Sequence, residues 1–167
     1  SGTFTEAALL TQTDLASAEH VLYKSHSDVL HNTSTGEIDF GFCAIENAIE
    51  GTVNVVQDTL AFDSELLIQR EVVIPITMNL LVKTGSSLSD VRKVISYPHA
   101  LAQVRSFLRE NLPDAELEAA NSTAHAAHLL SESDELNVAA VGTSLAAEKY
   151  GLDILAEGIE DHQGNKT

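Results

Sequence analysis

The chain has 167 residues, 44% of them hydrophobic and 20% charged, with 25 acidic against 9 basic side chains and a formal charge of −16. This length suits one domain or two small lobes sharing a cleft, and this charge argues against binding a nucleic-acid backbone or an anionic membrane. An anionic small ligand stays open, because local N–H groups and single cations override a negative overall field at short range. No run approaches the ~18 apolar residues of a membrane span and no signal-peptide pattern is present, so the cytoplasm is the expected location. The single cysteine, Cys43, has no internal disulfide partner and reads as a buried structural thiol.

The chain opens on Ser1-Gly2-Thr3-Phe4-Thr5-Glu6, where Thr3 and Glu6 have capping-box spacing and Ala7, Ala8 and Leu9 continue a helix. A glycine turn leading straight into a helix normally follows a strand, so a first strand is expected before Gly2. His20 to Tyr23 reads as a short strand and Ser27 to His31 as a helix ending at the polar Asn32 to Gly36 turn. The apolar run Ile38 to Cys43 reads as another strand. Glu46-Asn47-Ala48-Ile49-Glu50-Gly51-Thr52 then crowds two carboxylates, an amide, a glycine and a hydroxyl ahead of Val53, Val56 and Leu60, which have helical spacing. The stretch reads as a strand-to-helix turn. A helix starting there would offer unpaired N–H groups and the positive end of its dipole, a seat for a carboxylate or phosphate. The plainer alternative is a capping-box-like pair of Asn47 and Glu50 with Gly51 as a turn.

Leu66 to Ile68 and Val72 to Val82 form a β-prone stretch interrupted by Pro75, which marks a bend or a crossing between two lobes. Beyond Thr84-Gly85-Ser86-Ser87, Val94 to Ser96 is a strand, and Pro98 starts a helix with Leu101, Val104, Leu108 and Leu112 on one face. Glu116 to Ala120 is the next strand, and Asn121-Ser122-Thr123 begins a helix carrying Ala126, Ala127 and Leu130. Val138 to Val141 is a strand, Gly142-Thr143-Ser144 opens a helix ending at Tyr150-Gly151, and Ile154 to Ile159 is the last strand. This alternation predicts α/β lobes on largely parallel sheets. Thr3/Thr5, Asn47/Thr52, Pro98/His99, Ser122/Thr123 and Thr143/Ser144 all stand between a strand and a helix, at the carboxyl edge where such sheets bind ligands. Each alone is an ordinary cap; on two sheets facing one cleft they would form an anion-binding pocket. His125 and His128 lack a third ligand at diagnostic spacing and read as a solvated helix face, not a metal site.

The ordered set Gly2-Thr3-Phe4-Thr5-Glu6, Glu46 to Val53 with Asp58 and Leu60, Pro98 to Gln103, Ser122-Thr123-Ala124, Tyr150-Gly151-Leu152 and Asn165-Lys166-Thr167 resembles the catalytic domain of prephenate dehydratases. These enzymes convert prephenate to phenylpyruvate in phenylalanine biosynthesis. The resemblance implies two Rossmann-like α/β lobes of the type II periplasmic-binding-protein kind with a cleft between them. Residues 1–73 and 158–167 would form the first lobe and residues 74–157 the second. The implied reaction is a concerted loss of carbon dioxide and ring hydroxide, driven by aromatisation, without metal, cofactor or covalent intermediate.

By the same resemblance, Thr167 donates to the leaving oxygen, while Asn47 and Gln103 position it and the substrate. Thr5, Thr52, Ser122 and Thr123 bind the two carboxylates, and Glu46 and His99 complete the substrate-binding set. Glu46 and Glu50 are not read as a general-acid pair, because adjacent anions repel a dianionic substrate. The family's Glu-Asn-Ser is Glu46-Asn47-Ala48 here, so Thr52 or backbone N–H groups would replace the missing hydroxyl. Its His-Pro-Gln is Tyr97-Pro98-His99, and of its Thr-Arg-Phe only Thr167 is present, so arginine and phenylalanine are expected to follow. The implied partners are prephenate, further copies in a homodimer or homotetramer, and L-phenylalanine as feedback effector through a regulatory domain outside these residues. Two alternatives stay open: dehydration of arogenate, the amino analogue, and a non-catalytic two-lobed module that binds small anions.

Overall fold

Short helices and one small hairpin are the only helices and strands that form between Thr5 and Ile76. The computed structural model describes residues 2–167, and by internal contacts these make two units: Thr5–Ile76 with Gly164–Thr167, and residues 2–4 with Thr77–Gln163. By contact, residues 2–4 and 158–163 thus fall with the unit the resemblance would make the second lobe. The first unit holds α1 (Phe4–Leu10), α2 (Thr13–Ala16), α3 (His26–Ser34), β1 (Glu46–Asn47), β2 (Gly51–Thr52) and α4 (Asn54–Asp58), the last running into a π-helical turn over Thr59–Asp63. Helix α3 starts where the Ser25 hydroxyl accepts from the Asp28 N–H at 3.1 Å, satisfying one of the donors a helix start leaves open.

Three segments expected as strands, His20 to Tyr23, Ile38 to Cys43 and Leu66 to Ile68, are irregular. A strand needs a neighbour to complete its ladder, and among the described residues none of these segments has one. None of their apolar side chains is fully buried and several stay in solvent, Leu22 at 65%, Phe40 at 69% and Leu67 at 79% exposure, and only Ala8, Leu30, Val56 and Ile76 are buried apolar groups of this unit. Cys43 is half-buried rather than fully buried, and that burial pushes its thiol up to about 11. Polar ties supply cohesion instead. Arg70 forks onto the Asp14 carboxylate at 2.9 and 2.8 Å and reaches Gln12 Oε1 at 3.2 Å. At Pro75 the expected long strand does break. Ile74 and Ile76 hydrogen-bond to Thr167 and Asn165, while Pro75, with no N–H to give, faces Lys166 between them.

The second unit contains β3 (Asn79–Val82), β4 (Lys93–Ser96), α5 (Pro98–Gln103), α6 (Arg105–Asn111), β5 (Glu116–Ala119), α7 (Thr123–Glu132), β6 (Val138–Gly142), α8 (Ser144–Tyr150) and β7 (Asp153–Ala156). Its sheet has the order β5-β4-β6-β3-β7; β4 runs parallel to β5 and β6, whereas β3 runs antiparallel to β6 and β7. The expected largely parallel sheet is therefore mixed. Helical crossovers join β4, β5, β6 and β7 and keep them in one direction, but β3 enters from the other unit with no crossover to constrain it. The last strand ends at Ala156 instead of Ile159, ahead of Gly158, whose φ of +61° turns the chain.

Every residue of β3 and β6 is buried, as strands covered on both faces require. Leu81 of β3 packs with Ile95, Ala126, Leu130, Ala140 and Ala146, and small residues bring backbone close to it: a Cβ on Gly142 would lie 3.0 Å from Leu81 Cδ1. The helix expected from Pro98 to Leu112 is two helices, parted at the fully buried Val104 (φ −121°, ψ 21°). Among the described residues, no helix is long and apolar enough to cross a membrane.

Leu81→Ala is expected to lower stability by about 2–5 kcal/mol in denaturant unfolding, through lost burial and the cavity left behind. A loss well under ~1 kcal/mol would show that this core does not depend on Leu81. Arg70 holds the Asp14 carboxyl at about 2, below its ordinary 3.8, so the pair stabilises fully above 3.8 and loses its contribution as pH falls toward about 2. Unfolding curves of the wild type and Asp14→Asn are expected to converge on acidification through that window. A difference independent of pH would remove the ion pair as its cause.

Candidate active site

The stretch from Glu46 to Thr52 is a hairpin, not a strand-to-helix turn: β1 and β2 pair antiparallel with Glu46 opposite Thr52 and Asn47 opposite Gly51. Helix α4 begins only afterwards, with Val53 at its N-cap and no side-chain cap. The hairpin forms because Asn47 Oδ1 accepts from the N–H groups of Ile49 at 3.0 Å and Glu50 at 3.1 Å, so one amide oxygen satisfies two donors of the turn. Gly51 closes it at φ +83°, a left-handed conformation that a Cβ penalises. No atom lies within 4 Å of where that Cβ would sit, so the demand for glycine is conformational and not steric. Asn47 thus caps a turn, and its Nδ2 remains a donor for another group.

The C-terminal segment grips the hairpin on both sides of Asn47. The Thr167 hydroxyl donates to the Glu46 carbonyl at 2.8 Å, and the Ala48 N–H donates to the Lys166 carbonyl at 2.8 Å. Thr167 is fixed in turn by exchanging both backbone hydrogen bonds with Ile74, at 2.9 and 3.1 Å. Thr167, Asn47, Glu46 and Thr52 are therefore neighbours within one unit, with Glu46 meeting Thr167 through its carbonyl and not its carboxylate. Glu46 and Thr52 are exposed, whereas Asn47 and Thr167 are half-buried. Thr5 lies in the first turn of α1.

In the other unit, α5, α7 and α8 each follow one of the parallel strands β4, β5 and β6, so their N-termini gather on the carboxyl edge of the sheet. Ser122 caps α7, its hydroxyl accepting from the His125 N–H at 3.0 Å, and Thr123 is the first residue of that helix. Thr143 caps α8 at 2.9 Å and donates to the Gly2 carbonyl at 2.9 Å; at 4% exposure it secures the chain's opening turn. His99 is exposed in the first turn of α5 and stacks on Tyr97, with centroids 5.3 Å apart and an interplanar angle of 21°. Gln103 ends α5 with 9% exposure, and its carbonyl accepts from the Asp161 N–H at 2.7 Å. His128 stacks on Tyr150 and lies 3.5 Å from Glu132. Nothing in the sequence marks Asp161, because an acid in a polar loop looks like any solvated residue, and nothing there shows the return of residues 165–167 along the hairpin.

Helices that each follow a parallel strand and begin along one sheet edge make this an α/β protein, and in such folds that edge is where ligands usually bind. The chain belongs to the prephenate dehydratase family, whose family model matches residues 1–167. With the family comes the two-lobed, type II periplasmic-binding-protein-like α/β class. The prephenate dehydratase of Lactococcus lactis subsp. lactis is 39% identical over 160 residues, covering 96% of this chain and 57% of that protein. The chain spans about half the length of the curated relatives it matches. Among solved structures, a prephenate dehydratase from Arthrobacter aurescens in complex with L-Phe superposes with a TM-score of 0.89 at 37% identity, over 99% of this chain and 55% of that one. GqqA, described as a novel type of quorum quenching acylase, superposes with a TM-score of 0.83 at 27% identity, over 99% and 58%.

Gly51→Ala is expected to destabilise the protein by about 1–2 kcal/mol, the cost of a left-handed residue with a Cβ, while clashing with nothing. Unchanged unfolding would mean that the hairpin does not need that conformation.

Proposed function

We propose that the protein is a prephenate dehydratase, a carbon–oxygen lyase that converts prephenate to phenylpyruvate, water and carbon dioxide in L-phenylalanine biosynthesis. The observation that carries this reading is the hydroxyl of Thr167 held beside Asn47 in a chain whose whole length matches the family. In the reaction, the electrons of the bond to the departing carboxyl carbon flow into the ring, and the bond to the ring hydroxyl breaks as the ring becomes aromatic. A threonine hydroxyl is too weak an acid to give up its proton outright. Its part is to swing from the Glu46 carbonyl to the leaving oxygen and stabilise the charge that grows there, with solvent completing the water molecule. Asn47, through the Nδ2 that the turn leaves available, and Gln103 position Thr167 and the substrate. Thr5, Thr52, Ser122, Thr123 and His99 bind the two carboxylates, and Glu46 serves through its carbonyl.

The same proposal carries homodimeric or homotetrameric assembly, feedback by L-phenylalanine through a regulatory domain outside these residues, and a cytoplasmic location, which suits a free Cys43. Incubating the full-length protein with prephenate is expected to yield phenylpyruvate. Turnover of arogenate alone would move the assignment to the amino analogue, and acylase activity with neither compound turned over would overturn it.

Asn47→Asp keeps an oxygen for the turn but removes the amide donor and adds a charge that repels a dianion. It is expected to lower kcat by about 10²-fold or more while preserving the melting temperature. Wild-type kcat in that variant would remove Asn47 from the site.

A further inference from the structure

The break between α5 and α6 deprives two backbone groups of their helical partners. In an unbroken helix the Gln103 carbonyl would accept from the Phe107 N–H, and the Ser106 N–H would donate to the Ala102 carbonyl. Val104 departs from helical geometry between them, and one residue of the chain's later loop replaces both bonds. The Asp161 N–H donates to the Gln103 carbonyl at 2.7 Å, and Asp161 Oδ1 accepts from the Ser106 N–H at 2.9 Å. Satisfying both orphaned groups is what lets the helix break at that point without cost to buried polar atoms. The loop carrying Asp161 is itself tied to the sheet, because the Ile159 N–H donates to the Met78 carbonyl and Glu160 Oε2 accepts from the Met78 N–H, each at 2.9 Å. All of these groups belong to the same unit.

We propose that Asp161 is a positioning residue for Gln103: it holds the helix open at Val104 and so sets the direction in which the largely buried Gln103 side chain points. The inference rests on the proposed role of Gln103 in the dehydration, and it adds a residue that would not itself touch the substrate. Positioning losses appear in kcat more than in KM, since a misplacement of about 1 Å costs up to 10²-fold in rate.

The test uses the full-length protein with prephenate. Asp161→Ala is expected to lower kcat about tenfold with little change in KM, and Asp161→Asn, which keeps an acceptor for the Ser106 N–H, to recover most of that loss. The double variant Gln103→Ala with Asp161→Ala is expected to be no slower than Gln103→Ala alone, because the two residues act as one unit. Wild-type kcat in Gln103→Ala would remove Gln103 from the reaction and this inference with it. A slow Gln103→Ala combined with either an Asp161→Ala of wild-type kcat or a fully additive double variant would leave Gln103 in place and overturn the role of Asp161 alone. Should Asp161→Ala fail to fold, Asp161→Glu decides: lowered kcat at an unchanged melting temperature supports the proposal, and wild-type kcat overturns it.

Discussion

Asn165-Lys166-Thr167 uses its backbone in two directions, as a strand between two neighbours does. Asn165 and Thr167 bond to Ile76 and Ile74, and Lys166 accepts from Ala48 on the other side. Alternation along an extended chain makes this possible, since successive peptide groups face opposite edges. Among the described residues the two strands of the hairpin, Glu46–Asn47 and Gly51–Thr52, pair in a sheet only with each other, and the return of residues 165–167 ties onto them. Thr167 and Asn47 are thereby neighbours through backbone bonds, while the Thr167 hydroxyl and the Asn47 amide stay free to change partners.

The two units reach cohesion by different means. In one, alanines and a glycine let α7 and α8 lie close on β3 and β6, and Leu81 and Leu130 are wholly buried. In the other, few apolar side chains leave solvent, and an Asx turn, the fork of Arg70 on Asp14 and the return of residues 165–167 hold segments with little ladder structure. Stability is distributed unevenly in such a chain, since local opening follows buried apolar contact and protected backbone bonds.

Neutral donors dominate the proposed site: hydroxyls of threonine and serine, carboxamides of Asn47 and Gln103, and the N-termini of helices. In a chain of net charge −16 this chemistry is what the proposed dianionic substrate would need. Neutral donors add no charge that would compete with the acidic surface, and oriented dipoles already fixed in place need not reorganise as charge moves in the reaction.

Local physics was legible in the sequence. Ser122 and Thr143 cap their helices as spacing predicts, the segments expected as strands from Val94, Glu116 and Val138 are strands, Gly151 stops α8, and Pro75 breaks the long β-prone stretch, because each depends on residues only a few positions apart. The ordered motifs likewise marked the family. What failed was whatever depends on a distant partner. Val53, Val56 and Leu60 have the same helical spacing whether a cap or a hairpin precedes them, and Ile38 to Cys43 looks like a strand whether or not a ladder is there to receive it. The direction of β3 leaves no trace in its side chains, which are buried on both faces either way. The hydrogen bond of Thr167 to Glu46 spans 121 positions, and that of Asp161 to Ser106 spans 55. Only the folded chain decides such pairs, because each joins a side chain to a distant backbone group of a kind that every residue carries and no residue type announces.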